Sequence, residues 1–441
     1  MILTVKPTPQ LRGTVQLPAS KSYSIRSFFI AAGGGISTII RPTFSDDVLA
    51  AKRVAQALGA RVREVRKNVW KVWGHRFGDT YLDPNSRSLG PGMCPQIHVR
   101  ESGTALRFVL PLVCLRNKKV IVTGEGTLVG RPNTFLLKTL RGMGADIRGT
   151  GKKESVPVYF RGGSLSGGKI HIDGSLSSQF ISALLIACPQ MDSNTHLTLT
   201  GRVVSSDYIT MTLNILRRAG VKIRQSGSRV FMIKGNQPFK GLKNFIVPSD
   251  YGLAAFLMAA AVLKKSDVTL QGSFQDNLIQ ADGQILNFLK KMGACFKQTS
   301  SSINVHGPCA LKGETFSLKD CPDLVPIMAV LALFSKGKTR LTDIGHARVK
   351  ESDRISDLRR ELLKIGADVK ETHNELRIFP KLSYKGRVIL NPHHDHRLAM
   401  AFSVLGLRVP VAVKDIECTR KSYPAFVEDF KKLGAIVLKS R

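Results

Sequence analysis

Acidic residues are scarce in this 441-residue chain: 32 Asp plus Glu stand against 66 Lys plus Arg, a formal charge of +34. Anions, whether small molecules or nucleic acid, are therefore the first partners to consider. Aromatic residues are also few, at 7%, and no recognised nucleic-acid motif occurs, so a basic nucleic-acid-binding protein is supported by charge alone. The excess charge is spread out. Even the densest stretch, Arg61 to Lys71, alternates with Val and reads as the wet face of strands. The seven cysteines are odd in number and never lie as CxxC, which argues against a disulfide framework or a zinc knuckle and favours a reducing compartment. No stretch reaches the roughly eighteen uncharged apolar residues of a membrane span. Met1 leads into a strand-like run without a signal-peptide pattern, so the expectation is a soluble, untargeted, cytoplasmic protein.

What the chain does have is a repeat. Six times a polar cluster runs straight into a short apolar stretch, with starts roughly every seventy to eighty residues. The starts are Lys21-Ser22, Glu101-Ser102-Gly103-Thr104, Ser177-Ser178-Gln179, Ser249-Asp250, Pro322-Asp323 and Asp395-His396-Arg397. Ser, Asp and Pro favour helix starts, and a helix apolar on all sides must be buried, so each start predicts a buried helix with a polar cap. Helix starts carry partial positive charge and free N–H donors, and several converging would form an anion pocket without a metal. A second marker keeps the same rhythm: amphipathic patterns end at Gly59, Gly144, Gly220, Gly293, Gly366 and Gly434, each placed as a helix C-cap and followed by a half-exposed strand pattern.

The length suits two domains, three repeat units each. The expected division is residues 21–242 against residues 1–20 plus 243–441. The leader runs Leu3 to Val5 and Thr14 to Leu17 would complete the last unit of the second domain, so the chain would cross between domains twice and form a double hinge suited to cleft closure.

Basic residues gather at the helix junctions: Lys21, Arg26, Arg107, Arg131, Arg397, Lys421 and the run Arg348 to Arg354. Arg26, Arg107 and Arg397 adjoin apolar stretches, where an unpaired charge is costly, so each requires an anionic partner from protein or ligand. On these residues the chain resembles the 5-enolpyruvylshikimate-3-phosphate synthase family, one of the enolpyruvyl transferases. The stretches that carry the resemblance are Leu17 to Arg26, Ser102-Gly103-Thr104-Ala105-Leu106-Arg107, Ser177-Ser178-Gln179-Phe180, Arg348 to Arg354 and Asp395 to Met400. They span essentially the whole chain. Singly they are weak, but their order within the six-unit repeat is specific.

The resemblance implies an α/β fold of two inside-out domains, each of three βαβαββ-like units with buried helices and outer sheets. It implies transfer of the enolpyruvyl group of phosphoenolpyruvate to the 5-hydroxyl of shikimate 3-phosphate, releasing phosphate, in aromatic amino-acid biosynthesis. It further implies an enzyme of the glyphosate-target type that needs neither metal nor organic cofactor. Carried over by motif, Ser22, Arg26, Ser177, Ser178, Ser205, Tyr208, Asp323 and Lys350 hold shikimate 3-phosphate. Gly103, Arg131, Gln179, Arg354, Arg397 and Lys421 hold phosphoenolpyruvate, and Lys21 touches both. Asp323 accepts the hydroxyl proton, and Glu351 or Lys21 handles the methylene proton. Lys and Arg around a carboxylate favour its ionised form, which suits Asp323 as a base and makes Glu351 a poor resting acid unless substrate charge offsets them. Small anions are the expected partners, with no nucleic acid or membrane, and the chain is expected to act as a monomer.

The chain also departs from the family pattern. Glu101 stands where Asn is usual, beside an anion site; Ala19 replaces a Gly; Ser206-Asp207 replace Lys-Pro; His346 replaces a common Asn. The turn Asp250 to Leu253 lacks frequent paired serines. His393-His394-Asp395-His396 resembles a metal cluster, but the following Arg397 favours the anion motif. The nearest alternative enzyme, the enolpyruvyl transferase acting on UDP-N-acetylglucosamine, uses a reactive Cys on a mobile loop. Cys114, inside the apolar stretch Phe108 to Leu115, reads instead as a core thiol.

Overall fold

Helices with no polar face belong in the interior, and six of them set the architecture. The computed structural model describes residues 1–77, 94–116, 118–275 and 277–440. Among these residues the chain forms twelve α-helices. They are α1 (Lys21–Ala32), α2 (Asp46–Ala57), α3 (Gly103–Val113), α4 (Thr134–Gly142), α5 (Ser178–Ala187), α6 (Ser206–Arg218), α7 (Tyr251–Leu263), α8 (Gln284–Lys291), α9 (Val325–Leu333), α10 (Arg354–Lys364), α11 (His396–Gly406) and α12 (Phe426–Lys432). The odd-numbered helices are the apolar stretches of the sequence. In α7 every residue from Gly252 to Leu263 is buried, and in α9 all of them are. Each fully buried Leu or Phe in such a helix contributes about 1.5–3 kcal/mol. The even-numbered helices bury only one stripe, as α8 does with Ile285, Phe288 and Leu289. Helices inside and sheets outside make this the inside-out α/β fold that the family resemblance implies, with the buried helices expected from the pattern.

The chain divides into two compact units, Ser20–Val247 and Met1–Ala19 with Pro248–Arg441. Each contains three four-stranded sheets. In the first unit the strand orders are Phe245–Ile246, Gly35–Ile40, Val69–Gly74, Arg61–Arg66; then Gln96–His98, Val120–Thr123, Ser155–Gly162, Asp146–Thr150; then Gly168–Asp173, Thr195–Thr200, Val230–Ile233, Ile223–Ser226. In the second they are Gln10–Gln16, Lys265–Gln271, Ser302–Gly307, Phe296–Gln298; then Thr315–Ser317, Thr339–Thr342, Glu375–Phe379, Asp368–Glu371; then Val388–Leu390, Val411–Val413, Ile2–Val5, Val437–Ser440. Each sheet repeats one plan. The first pair is parallel, and the remaining two are antiparallel.

The leader departs from expectation in one respect. Ile2–Val5 does enter the sheet of the last repeat, pairing with Val411–Val413 and Val437–Ser440. Gln10–Gln16 instead lies parallel to Lys265–Gln271, in the sheet of the first repeat of its unit. Pro7 and Pro9 stand between the two strands, and a residue without an N–H cannot extend a ladder, so the second run is released to pair elsewhere.

All six C-cap glycines adopt left-handed backbone, from φ +77 at Gly366 to φ +106 at Gly144. The hydrogen bonding recurs at each. The residue after the glycine donates back five residues, as in Ala60 to Ala55, Ala145 to Leu140, Val221 to Leu216, Ala294 to Leu289, Ala367 to Leu362 and Ala435 to Phe430, at 2.9–3.2 Å. This is the Schellman closure, which satisfies the last helical carbonyls and requires a residue that tolerates positive φ. At Gly366 a Cβ would meet nothing within 4 Å, so substitution there tests the backbone alone. Gly366→Ala is expected to cost about 1–2 kcal/mol. Urea denaturation should show the midpoint of the affected transition lowered with its slope unchanged; an unmoved midpoint would remove the left-handed requirement.

Candidate functional site

The expected site residues fall into two groups, one in each unit. In the unit Ser20–Val247 they gather at the starts of α1, α3, α5 and α6. Ser20 caps α1, its hydroxyl accepting from the Tyr23 N–H, and Lys21 and Ser22 are the first helical residues. Lys21 Nζ lies 2.9 Å from Asp47 Oδ2 in the first turn of α2, a nearly buried pair. Arg26, one turn on, is 2% exposed. Its guanidinium donates to Ser22 O at 3.0 Å, Tyr208 O at 3.1 Å and Thr212 Oγ1 at 2.9 Å, between the rings of Phe108 and Tyr208. Burial pushes this Arg down to about 10, and neutral oxygens rather than a carboxylate receive its protons. Ser22, Arg26 and Tyr208 are thus assembled by one side chain. Ser205, at the N-cap of α6, is buried and left-handed at φ +55, an uncommon conformation for a residue with a side chain.

At α3 and α5 the starts are tied to each other. Ser102 caps α3 and Ser177 caps α5, with Ser178 opening that helix. Gln179 Nε2 donates to Thr104 Oγ1 at 3.1 Å. Gly103 faces two guanidinium groups. A Cβ there would overlap Arg107 Nη1 and lie 2.9 Å from Arg131 Nη1. Arg107 is 3% and Arg131 9% exposed, so two buried cations and a bare backbone face one small region, an arrangement suited to holding an anion.

The second group belongs to the unit Met1–Ala19 with Pro248–Arg441, and Arg354 is its centre. This first residue of α10 is 1% exposed and is ringed by carboxylates. Nη1 lies 2.6 Å from Asp323 Oδ1, Nη2 2.9 Å from Glu351 Oε2 and Nε 2.7 Å from Asp395 Oδ2. Burial alone would lower its pKa, but the Asp395, Asp323 and Glu351 charges outweigh burial and hold it well above the ordinary value. Arg397, 2% exposed, sends Nη2 to the other oxygen of Asp323 at 2.9 Å and Nη1 to Gly252 O at 2.8 Å. Burial would lower Arg397 as well, and the Asp323 and Asp282 carboxylates raise it instead. Lys421 Nζ stands 3.9 Å from Glu351 Oε1. Lys350 closes the short turn Gly345–Val349 and is half-buried beside Glu351 in sequence.

Asp323 does not cap a helix. It sits in the 3-10 turn Pro322–Leu324 ahead of α9, which has no side-chain cap, and its carboxylate serves the two guanidinium groups. The sequence reading omitted Asp47, Asp282 and Asp395 from the site. Each lies in a first turn or cap position, but the cation it meets, Lys21, Arg397 or Arg354, is distant along the chain. Glu101, the departure beside Gly103, directs its carboxylate to Thr127, whose hydroxyl donates to Oε2 at 3.1 Å. Cys114 is fully buried, its thiol donating to Leu110 O at 3.1 Å, and burial pushes the thiol up. In the histidine cluster, His394 pairs with Asp415 at 2.6 Å and His393 with Glu361 at 3.4 Å. Among the described residues no group of three or more His, Cys, Asp or Glu is placed to hold a metal ion, and no helix is long and apolar enough to cross a membrane.

Buried guanidinium groups at helix starts, with carboxylates among them, define an inside-out α/β protein built to handle small anions. The chain belongs to the EPSP synthase (3-phosphoshikimate 1-carboxyvinyltransferase) family, whose model matches residues 5–430. It is 35% identical to the 3-phosphoshikimate 1-carboxyvinyltransferase of Methanocaldococcus jannaschii and 34% identical to that of Haemophilus influenzae, covering 98% of both chains in each case. The EPSP synthase of Acinetobacter baumannii superposes with a TM-score of 0.79 at 25% identity over the whole of both chains. The enolpyruvyl transferase NikO of Streptomyces tendae shares the fold, with a TM-score of 0.77 at 18% identity over 100% of this chain and 98% of its own.

Three carboxylates around one buried guanidinium make Arg354 the group on which the charge balance of this region rests. Arg354→Met is expected to destabilise the chain by about 3–5 kcal/mol at pH 8, because it takes from Asp323, Glu351 and Asp395 the buried guanidinium they share. Protonation relieves that repulsion, so the deficit should narrow between pH 8 and pH 5. Chemical denaturation of wild type and variant at both pH values checks this, and an equal deficit at both would contradict it.

Proposed function

We propose that this chain transfers the enolpyruvyl group of phosphoenolpyruvate to the 5-hydroxyl of shikimate 3-phosphate. The match of residues 5–430 to one family carries this reading. The 5-hydroxyl oxygen bonds to C2 of phosphoenolpyruvate while C3 gains a proton, giving a tetrahedral intermediate. Loss of a C3 proton and of phosphate restores the double bond. The chemistry needs a base for the hydroxyl, an acid and then a base at the methylene carbon, and cations for phosphate and carboxylate.

The roles follow the family motifs. Ser22, Arg26, Ser177, Ser178, Ser205, Tyr208 and Lys350 hold shikimate 3-phosphate, and Asp323 takes its hydroxyl proton. Gly103, Arg131, Gln179, Arg354, Arg397 and Lys421 hold phosphoenolpyruvate. Lys21 contacts both, and Lys21 or Glu351 moves the methylene proton. The geometry around Asp323 supports a coupling between binding and base strength. With a guanidinium on each oxygen, at 2.6 and 2.9 Å, Asp323 is a weak base. An anion that draws Arg354 and Arg397 toward itself relieves that pairing, so binding of one substrate strengthens the base that activates the other. The expected domains, residues 21–242 and residues 1–20 with 243–441, are taken with the bounds of the two compact units, Ser20–Val247 and Met1–Ala19 with Pro248–Arg441, the two chain crossings acting as a hinge. The chain works as a cytoplasmic monomer, which light scattering of the purified protein tests.

Phosphate release from the two substrates is the deciding measurement. Wild type should turn over with shikimate 3-phosphate and not with UDP-N-acetylglucosamine, and Asp323→Asn should lower kcat by about a hundredfold or more. Wild-type inactivity with shikimate 3-phosphate would sink the reading. A methyl at Gly103 displaces the Arg107 and Arg131 guanidinium groups. Gly103→Ala should therefore raise KM for phosphoenolpyruvate by roughly tenfold and weaken glyphosate inhibition, comparable to losing a hydrogen bond to a charged group. Unchanged values for both would place the anion elsewhere.

A further inference from the structure

The strand Gln96–His98 runs parallel to Val120–Thr123, and the pairing continues beyond both strand ends. Val99 N donates to Thr123 O at 2.9 Å, and Glu125 N donates to Arg100 O at 3.0 Å. The first of these segments leads to Gly103, the second to Arg131. One residue past Arg100 and two past Glu125, a side chain takes over the connection. Glu101 Oε2 accepts from Thr127 Oγ1 at 3.1 Å and faces Thr127 N at 3.5 Å. The carboxylate lies against the backbone of Gly126, which is left-handed at φ +54, and a Cβ at Gly126 would overlap it. The space for Glu101 therefore depends on Gly126 having no side chain.

Beyond Thr127 the segment is fixed at short range. Arg131 N donates to Leu128 O at 3.1 Å, Gly130 N to Ser155 Oγ at 2.7 Å, and Ser155 Oγ donates to Leu128 O at 3.0 Å. The turn Gly126–Leu128 and the Arg131 backbone thus form one small braced unit. Glu101 attaches that unit to the start of α3, where Gly103 faces the Arg131 guanidinium.

We infer that Glu101 is a positioning residue, whose carboxylate sets the distance between the Gly103 backbone and the Arg131 guanidinium through Thr127. It carries a charge of the same sign as the proposed ligand, yet its oxygens are directed to Thr127 and Gly126. Its contribution is geometric: it accepts hydrogen bonds and fills the space above a glycine. The inference rests on the reading of Arg131 and Gly103 as the phosphoenolpyruvate ligands.

Three variants test it: Glu101→Ala, Glu101→Gln and Thr127→Val, assayed by phosphate release with each substrate varied in turn. Glu101→Ala should raise KM for phosphoenolpyruvate about tenfold, with KM for shikimate 3-phosphate and kcat within about twofold, the size of effect expected when one acceptor is lost. Thr127→Val should move the same constant in the same direction. Glu101→Gln keeps the acceptor and the volume while losing the charge, so it should restore most of the affinity for phosphoenolpyruvate. An unchanged KM in Glu101→Ala would overturn the inference. So would a Gln variant as impaired as Ala, which would assign the effect to charge. A fall in kcat together with both KM values rising and a lower thermal midpoint would reduce Glu101 to general support. A wild-type chain inactive with this pair would sink the underlying reading and this inference with it; an active wild type with an unaltered Ala variant sinks only the inference.

Discussion

Backbone donors at the start of a buried helix must find acceptors, and this constraint organises the molecule. A helix that is apolar on every side can satisfy its interior by itself but not its first turn. The polar groups that serve those first turns are therefore drawn into the core at one end of each helix, with Ser20, Ser102, Ser177, Asp250 and Asp395 as side-chain caps. Once polar residues are obligatory there, adding charged ones costs less than anywhere else in the core. That is where Lys21, Arg107 and Arg397 are found, and Arg354 opens the amphipathic helix beside them. The buried charges are thus located by the same requirement that makes the helices stable.

The charges at these starts are balanced in two different ways. Around Arg354 the balance is internal. Asp323, Glu351 and Asp395 surround the guanidinium, and the Coulomb gain outweighs burial, as the raised Arg354 indicates. Around Arg26 the balance is made with carbonyl and hydroxyl oxygens and two rings, and burial wins, lowering the group. A cation with three carboxylates is a fixed part of the scaffold that exchanges partners only when a competing anion is offered. A cation held by neutral dipoles retains unspent charge, and an anionic ligand gains more from it. The two regions therefore differ in how their charge is balanced, by carboxylates around Arg354 and by neutral dipoles around Arg26.

Much of this was legible in the sequence because it follows from local rules. The six glycine caps needed only an amphipathic pattern and a residue tolerant of positive φ, and every one closes as expected. The buried helices followed from the absence of a polar face. What could not be read were pairings between residues far apart along the chain. Nothing local to Lys21 names Asp47 as its partner, and nothing local to Arg354 selects Asp395, 41 positions on, over other acids. Asp323 stands where Asp usually caps a helix, and its two guanidinium contacts arise only when two neighbouring repeats come together. Glu101 beside an anion site looked like a conflict of charge until the direction of its carboxylate was known.

The course of the leader has a physical explanation that the repeat itself obscured. Every sheet places a parallel edge strand beside the strand that follows its buried helix, yet in the first repeat of each unit that edge strand is not the one that feeds the helix. In the unit Ser20–Val247, Phe245–Ile246 pairs with Gly35–Ile40 and comes from the far end of the unit. In the other unit, Gln10–Gln16 takes the equivalent place beside Lys265–Gln271, although Gln10–Gln16 leads by sequence into α1. Ile2–Val5 likewise fills the position that the fourth strand occupies in the other repeats. A ladder is set by hydrogen bonds and by which face is apolar, and is indifferent to how its strands are joined. The repeat seen in the sequence begins at helix starts because the helix and its glycine-capped neighbour are the part of each unit that is always continuous. The edge strands are supplied by whichever segment lies alongside, so their exchange at the two crossings leaves all six sheets on the same plan.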